Sequence, residues 1–202
     1  MYASRTGTRR NLAALRAAGW RLMVSARGVW RTEGFPYAVD NGAWTAYRRG
    51  ESFDRDAFRR CVWLLGPGAD FVVAPDIVAG GLDSLRMSLR WLDWLWGLPP
   101  SVRLLVPVQD GMAVEDVEPH LGARVGIFVG GTDAWKERTA AAWGRLARER
   151  GAYLHVGRVN TARRIAIATE AGADSVDGSS ASRFATTVPL LTRAASQEGF
   201  RW

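Results

Sequence analysis

The feature that most constrains this chain is an alternation, sustained along its length, of short runs rich in Val, Ile, Leu and Phe with longer segments of helical period. Strands buried on both faces read as near-continuous apolar runs, and they belong to parallel sheets covered by helices. Strands are expected at about Tyr2 to Ser4, Arg21 to Ser25, Tyr37 to Val39, Phe71 to Ala74, Val102 to Val106, Val125 to Val129, Tyr153 to Val156 and Asp174 to Val176. Between them fall helices at about Thr8 to Ala18, Leu82 to Trp96, Val114 to Leu121, Asp133 to Arg150 and Thr161 to Ala171, with a last one near Ala185 to Ala195. A broken helical stretch from about Ala43 to Leu65 holds a second start signal at Ser52 to Asp54, because an Asp before a helical run can accept from the first unpaired backbone N–H groups.

Eight strands with helices between most of them favour an α/β fold closed into a compact (β/α)8 barrel of the TIM type over an open doubly wound sheet. The 202 residues, 48% of them hydrophobic, are expected to form one domain, since a chain of that size can bury a substantial core. Residues Ala26 to Pro36 are too few and too rich in turn formers for a crossover helix, so one barrel helix is expected to be missing between strands two and three. Apolar runs never reach the roughly 18 residues needed to span a bilayer, and MYASRTGTRR lacks the apolar stretch of a signal peptide. A soluble, cytoplasmic protein with no membrane partner is expected, and the lone Cys61 suits a reducing compartment. A single cysteine excludes an intrachain disulfide and a cysteine-rich zinc site, and His120 and His155 could not complete a zinc shell unaided.

The formal charge is +7, and of the 27 basic residues all but Lys136 are arginines. Guanidinium forks bind phosphate bidentately, which points to nucleic acid as a partner; arginine bias on a solvated surface explains the charge equally well. In a TIM-type barrel the active site forms at the C-terminal ends of the strands. Those ends are polar here: Asp40-Asn41-Gly42, Asp76, Gln109-Asp110-Gly111, Gly130-Gly131-Thr132, Gly157-Arg158 and Asp177-Gly178-Ser179.

In order and pattern these strand ends resemble the queuine tRNA-ribosyltransferase (tRNA-guanine transglycosylase) family along nearly the whole barrel. The family's DSGG[FY] motif looks like Asp40-Asn41-Gly42-Ala43-Trp44, and the resemblance makes Asp40 the general acid/base, with Asn41 beside it at the base. VVAPD matches the strand whose aspartate pairs with the guanine edge, which places Asp76 in the base pocket. Val108-Gln109-Asp110-Gly111 is similar to the VQGG turn, so Gln109 would recognise the base carbonyl. Gly130-Gly131 matches a turn whose backbone contacts the base, although Thr132 stands where the family has leucine. The family's GxG turn, helix and GVDMFDC segment look like Val156-Gly157-Arg158, a helix and Gly172-Ala173-Asp174-Ser175-Val176-Asp177, which makes Asp177 the nucleophile.

Exchanging a base at a glycosidic bond requires a carboxylate to attack C1′ and a second group to move protons at the departing and incoming bases. No metal or cofactor is required. Each residue also has a purely structural reading: Asp40 as a turn residue or cap, Asp177 as a cap of the last helix, Gly130-Gly131 as an αL turn, Gln109 as a strand-end polar group. For phosphate, Arg158 and Arg163 follow strand seven, and Ser4 to Arg10, including Arg9 and Arg10, join a strand end to a helix start; a solvated surface is the alternative for both. Most of the ten tryptophans, including Trp91, Trp94 and Trp96 on one helix, are expected to pack in the core; Trp44 could stack on a base, with core packing the favoured reading.

Relative to the tRNA enzymes the chain lacks the cysteine-rich zinc subdomain, and in this it looks like the short phage-associated and bacterial DNA transglycosylases. The resemblance implies exchange of guanine in DNA for a 7-deazaguanine base of the preQ0 type, with DNA and that base as partners, in a bacterial or phage-infected cell. Relatives often form homodimers, but no self-complementary surface is legible in one chain. The alternatives are a reduced tRNA transglycosylase that needs a partner, a catalytically silent nucleic-acid-binding barrel, and an unrelated small-molecule barrel enzyme.

Overall fold

A computed structural model describes residues 1–4 and 8–197. Eight parallel strands close into a barrel in sequence order: β1 (Tyr2–Ser4), β2 (Arg21–Ser25), β3 (Tyr37–Asp40), β4 (Phe71–Val73), β5 (Arg103–Val108), β6 (Val125–Val129), β7 (Leu154–Val156) and β8 (Ser175–Gly178). The ring is closed by β8 against β1, with Tyr2 opposite Asp177 and Ala3 opposite Gly178. Helices α1 (Arg9–Ala17), α2 (Ala43–Arg48), α3 (Arg55–Leu65), α4 (Gly81–Leu95), α5 (Val114–Val117), α6 (Asp133–Arg150), α7 (Ala162–Glu170), α8 (Ser180–Arg183) and α9 (Thr187–Gln197) follow the strands. β2 runs into β3 through turns and extended chain, without a helix. Among the described residues no helix is long and apolar enough to cross a membrane.

Successive side chains of a strand face opposite sides, and the strands sort their residues into two layers accordingly. Tyr2, Met23, Ala38, Phe71, Val73 and Leu105 point into the barrel and pack with Phe128 and Tyr153. Their neighbours Ala3, Leu22, Val24, Val39, Val72, Leu104 and Ile127 point outward into the layer beneath the helices. Glycine serves this packing where backbone approaches backbone: a Cβ on Gly144 of α6 would overlap the Ala171 carbonyl at the end of α7.

Among the sequence-based element boundaries that shift, three are instructive. Asp54 does start a helix, its Oδ1 accepting from the Ala57 N–H at 2.9 Å, so the broken stretch resolves into α2 and α3 with a loop between. β5 runs on to Val108, which brings Gln109 directly to the strand end. β8 begins one residue later than expected and runs to Gly178, so Asp177 lies inside a paired strand rather than after it. The tryptophan expectation holds only in part. Trp91 is buried, but Trp94 and Trp96 are 42% and 47% exposed; Trp94 packs edge-on against Trp91 at 5.7 Å, and Trp96 lies under the Arg124 guanidinium at 4.4 Å.

Candidate active site

The inward parity that places Ala38 and Ser175 in the barrel carries two residues on to Asp40 and Asp177, at the rim of a cleft of about 830 Å³ at the C-terminal ends of the strands. Asp40 ends β3 next to Ser25 of β2. Its Oδ2 accepts the Gly42 N–H at 3.0 Å, the local turn bond that the structural reading anticipated. Gly42 itself sits at φ 81°, and a Cβ there would come within 2.7 Å of the Arg27 side chain. Burial, and next the negative charge of Asp177, push the Asp40 carboxyl up to about 6, against the stabilising Gly42 N–H and Ser25 hydroxyl. Asp40 is therefore a carboxyl that both holds and releases a proton near neutrality.

Asn41 is 4% exposed and fully engaged. Its Nδ2 donates to the Ala74 carbonyl at 2.7 Å and to Asp76 Oδ1 at 2.8 Å, while its Oδ1 accepts from the Ala43 N–H at 2.8 Å. Asn41 thus aims Asp76. Burial pushes the Asp76 carboxyl up to about 6, opposed by the Asn41 hydrogen bond and reinforced by the charge of Asp40.

Gln109 requires a correction. Its Nε2 donates to the Ile77 carbonyl at 2.9 Å and to Ser84 Oγ at 2.6 Å. A carbonyl accepts only, so the nitrogen must face it and both amide hydrogens are used. What Gln109 has left is its Oε1, an acceptor suited to an N–H of a ligand rather than to a base carbonyl. The departure at Thr132 also has a local cause: Asp110 accepts from the Thr132 N–H at 2.7 Å and from its hydroxyl at 2.8 Å. These bonds fix the Gly130-Gly131 turn against the end of β5. Gly131 takes φ 72°, the αL geometry of its structural reading, and its missing Cβ leaves room for Asp110 Oδ2.

Asp177 does not cap a helix, because α8 is preceded by Ser179 and has no side-chain cap. Its Oδ1 accepts the Arg158 N–H at 2.8 Å and lies 3.3 Å from His155 Nε2. Arg158 adopts φ 58°, unusual for a side chain other than glycine, and this turn is what aims its N–H at the carboxylate. The Arg158 guanidinium is held in the mouth, 4.6 Å over the Trp44 ring and donating to the Gly131 carbonyl. Trp44 is 42% exposed and stacks on Tyr47 at 5.8 Å, so the core-packing expectation for it is replaced by a place at the cleft rim.

The other phosphate candidates separate. Arg163 lies on the exposed face of α7, outside the cleft lining, with its guanidinium on Glu137 at 2.7 Å. Arg9 and Arg10 are exposed in the first turn of α1. The stretch Arg5 to Gly7 of the expected backbone clamp lies outside the described residues.

Two residues that sequence reasoning did not assign to the site touch its backbone or its carboxylate. His155 is fully buried beneath Asp177. Lys136 is 5% exposed; its Nζ donates to the Gly157 carbonyl at 2.7 Å and pairs with Asp133 at 3.2 Å, bracing the turn that presents the Arg158 N–H. The inward parity shared by Tyr153, His155 and Gly157 was the available signal for the histidine. Among the described residues no group of His, Cys, Asp and Glu is arranged to hold a metal ion. No protein-family model matches the chain, and no curated protein matches it.

Proposed function

We propose that the chain is a nucleic-acid guanine transglycosylase that exchanges guanine in DNA for a 7-deazaguanine base of the preQ0 type. On this reading the protein is a cytoplasmic transglycosylase barrel with one crossover helix missing and no zinc subdomain. The observation that carries the proposal is the pairing of two cleft carboxylates of different character: Asp40, pushed up to about 6 in part by the charge of Asp177, and Asp177, engaged by N–H donors on one oxygen.

The target nucleotide leaves the base stack and enters the cleft. Asp177 attacks C1′ with Oδ2 while the bond from C1′ to the base nitrogen breaks, and the bonding pair leaves with the base. Protonated Asp40 supplies the proton that neutralises the departing base. After exchange of bases in the pocket, Asp40 as carboxylate takes the proton from the incoming base, whose nitrogen attacks C1′ and displaces Asp177. Two inversions retain the configuration, as in retaining glycosidases. Asp76 and the Oε1 of Gln109 both accept hydrogen bonds, which suits the N–H edge of a guanine-type base, and Trp44 stands at the rim beneath the Arg158 guanidinium. DNA phosphates would meet Arg9 and Arg10, with guanidinium groups free of the cleft.

The test is to incubate wild type, Asp177→Ala and Asp40→Asn with guanine-containing DNA or tRNA and a 7-deazaguanine base, then measure exchange and covalent adducts by mass spectrometry. Exchange into DNA that disappears in Asp177→Ala supports the proposal. Exchange into tRNA alone replaces the polymer, and neither exchange nor adduct with either polymer overturns the catalytic reading.

A further inference from the structure

The interior of the barrel contains a polar thread that the base-exchange reading does not use. His155 Nδ1 lies 2.7 Å from Ser175 Oγ, and His155 Nε2 lies 3.3 Å from Asp177 Oδ1. On the far side of the barrel the Tyr2 hydroxyl donates to Asp70 Oδ2 at 2.9 Å. The imidazole is also clamped by rings. Phe128 stacks on it at 4.8 Å, while Phe71 and Tyr2 approach at 5.2 Å and 5.8 Å.

We infer that His155 is a positioning residue for Asp177: its neutral ring, with the hydrogen on Nε2, holds Oδ1 of the carboxylate and turns Oδ2 toward the sugar. This inference rests on the reading of Asp177 as nucleophile. The tautomer follows from the partners. A carboxylate accepts only, so Nε2 must carry the hydrogen that faces Asp177; Nδ1 then accepts, and the Ser175 hydroxyl donates to it. Burial holds the imidazole below its ordinary pKa. The charges acting on it are Asp177, which pulls it up, and the Met1 amino group and Lys136, which push it down. With the Arg158 N–H on the same oxygen, Oδ1 has two donors and Oδ2 is left for chemistry.

The arrangement matters most in the second half of the exchange. When the incoming base displaces Asp177, the bond from Oδ2 to C1′ breaks and its electron pair returns to the carboxylate. The two donors on Oδ1 stabilise the charge that reappears, so their loss slows departure of the enzyme from the sugar. Glutamine at position 155 can place an N–H near the position of Nε2, whereas leucine cannot.

The experiment combines a spectrum with kinetics. In ¹⁵N-histidine-labelled protein, His155 is expected to show the neutral form with the hydrogen on Nε2 at neutral pH and to keep it as the pH falls through the range in which a free imidazole gains its proton. His155→Leu is expected to lower kcat roughly 10- to 100-fold with little change in KM and to accumulate the covalent adduct, while His155→Gln recovers part of the rate. A ring that titrates freely or carries its hydrogen on Nδ1 overturns the inference, as does a folded His155→Leu protein that exchanges bases at the wild-type rate without extra adduct. If wild type exchanges no base, the transglycosylase reading fails alone, and the spectrum, which needs no substrate, still decides how His155 holds Asp177. If the variants do not fold, the spectrum decides likewise.

Discussion

The two ends of the barrel handle aspartate in opposite ways. At the N-terminal end, Asp70 is held by the Arg21 guanidinium at 2.7 Å and the Tyr2 hydroxyl at 2.9 Å. At the C-terminal end, Asp40, Asp76 and Asp177 share one cleft, and among the described residues none has an ion pair with arginine or lysine. Their partners are backbone N–H groups, the Asn41 amide and the His155 ring. A chain with 27 basic residues has no shortage of cations, so the difference lies in placement. A paired carboxylate at the N-terminal end contributes to stability, whereas Asp40 and Asp76, without a cationic partner at the mouth, keep a raised proton affinity that chemistry can use.

On the proposed function, the largest effect expected from this contrast is on base exchange. Removing the carboxylate with Asp177→Ala is expected to reduce base exchange by about a thousandfold or more, because the covalent route disappears. Asp70→Asn, at the other end, is expected to leave exchange per folded molecule within about twofold of wild type, since Asp70 touches no part of the cleft lining. A comparable loss from both variants would show that the two ends are not functionally separate.

Stability should reverse that order. Asp70→Ala removes a charge-assisted bond from Arg21 and leaves the Tyr2 hydroxyl without its acceptor, a loss of roughly 1–3 kcal/mol in urea denaturation. Arg21 is 41% exposed at its side chain, so solvent screening puts the ion-pair share at the low end of what such pairs contribute.

At the mouth the sign changes. Folded Asp76 holds its proton up to about pH 6, against an ordinary value of 3.8, so between those values the folded state binds more protons than the unfolded one. Raising the pH through that window therefore lowers stability, and Asp40 acts in the same direction. Asp76→Asn keeps an oxygen for the Asn41 amide to donate to and removes the buried charge. It is expected to gain roughly 1–3 kcal/mol at neutral pH, to flatten the pH dependence between about pH 4 and pH 6, and to lose base exchange. Denaturation curves at several pH values check it; an Asn variant no more stable than wild type would mean that the cleft carboxylate is not held against its charge.

Much of this architecture was legible in the sequence because the strands obey a strict parity. Tyr2, Met23 and Leu105 fall inward and their neighbours outward, and the same parity carries Asp40 and Asp177 to the rim. What stayed hidden depended on partners distant in the chain. Nothing around Gln109 reveals that Ile77 and Ser84 occupy its amide hydrogens, and nothing around Trp44 reveals that Arg158 lies over it. His155 looked like an isolated histidine in an apolar run until β8 placed Ser175 and Asp177 beside it.

The smallest expected effect separates surface arginines that stand exposed at the start of α1 from one that is paired on α7. Arg163 is 72% exposed at its side chain, yet its guanidinium is paired with Glu137, which Arg164 also contacts at 3.3 Å. A phosphate would have to compete with that carboxylate for Arg163, whereas Arg9 and Arg10 stand exposed at the start of α1. Removing one arginine that neutralises a phosphate lowers the dependence of log affinity on log salt by about one. The double variant Arg9→Ala, Arg10→Ala is therefore expected to weaken DNA binding at low salt and to reduce the salt slope by about two. Arg163→Ala should leave both nearly unchanged, as measured by fluorescence anisotropy across a salt series. The opposite ranking would mean that the pair with Glu137 opens on binding, and would move the proposed DNA track from the α1 side of the mouth to α7.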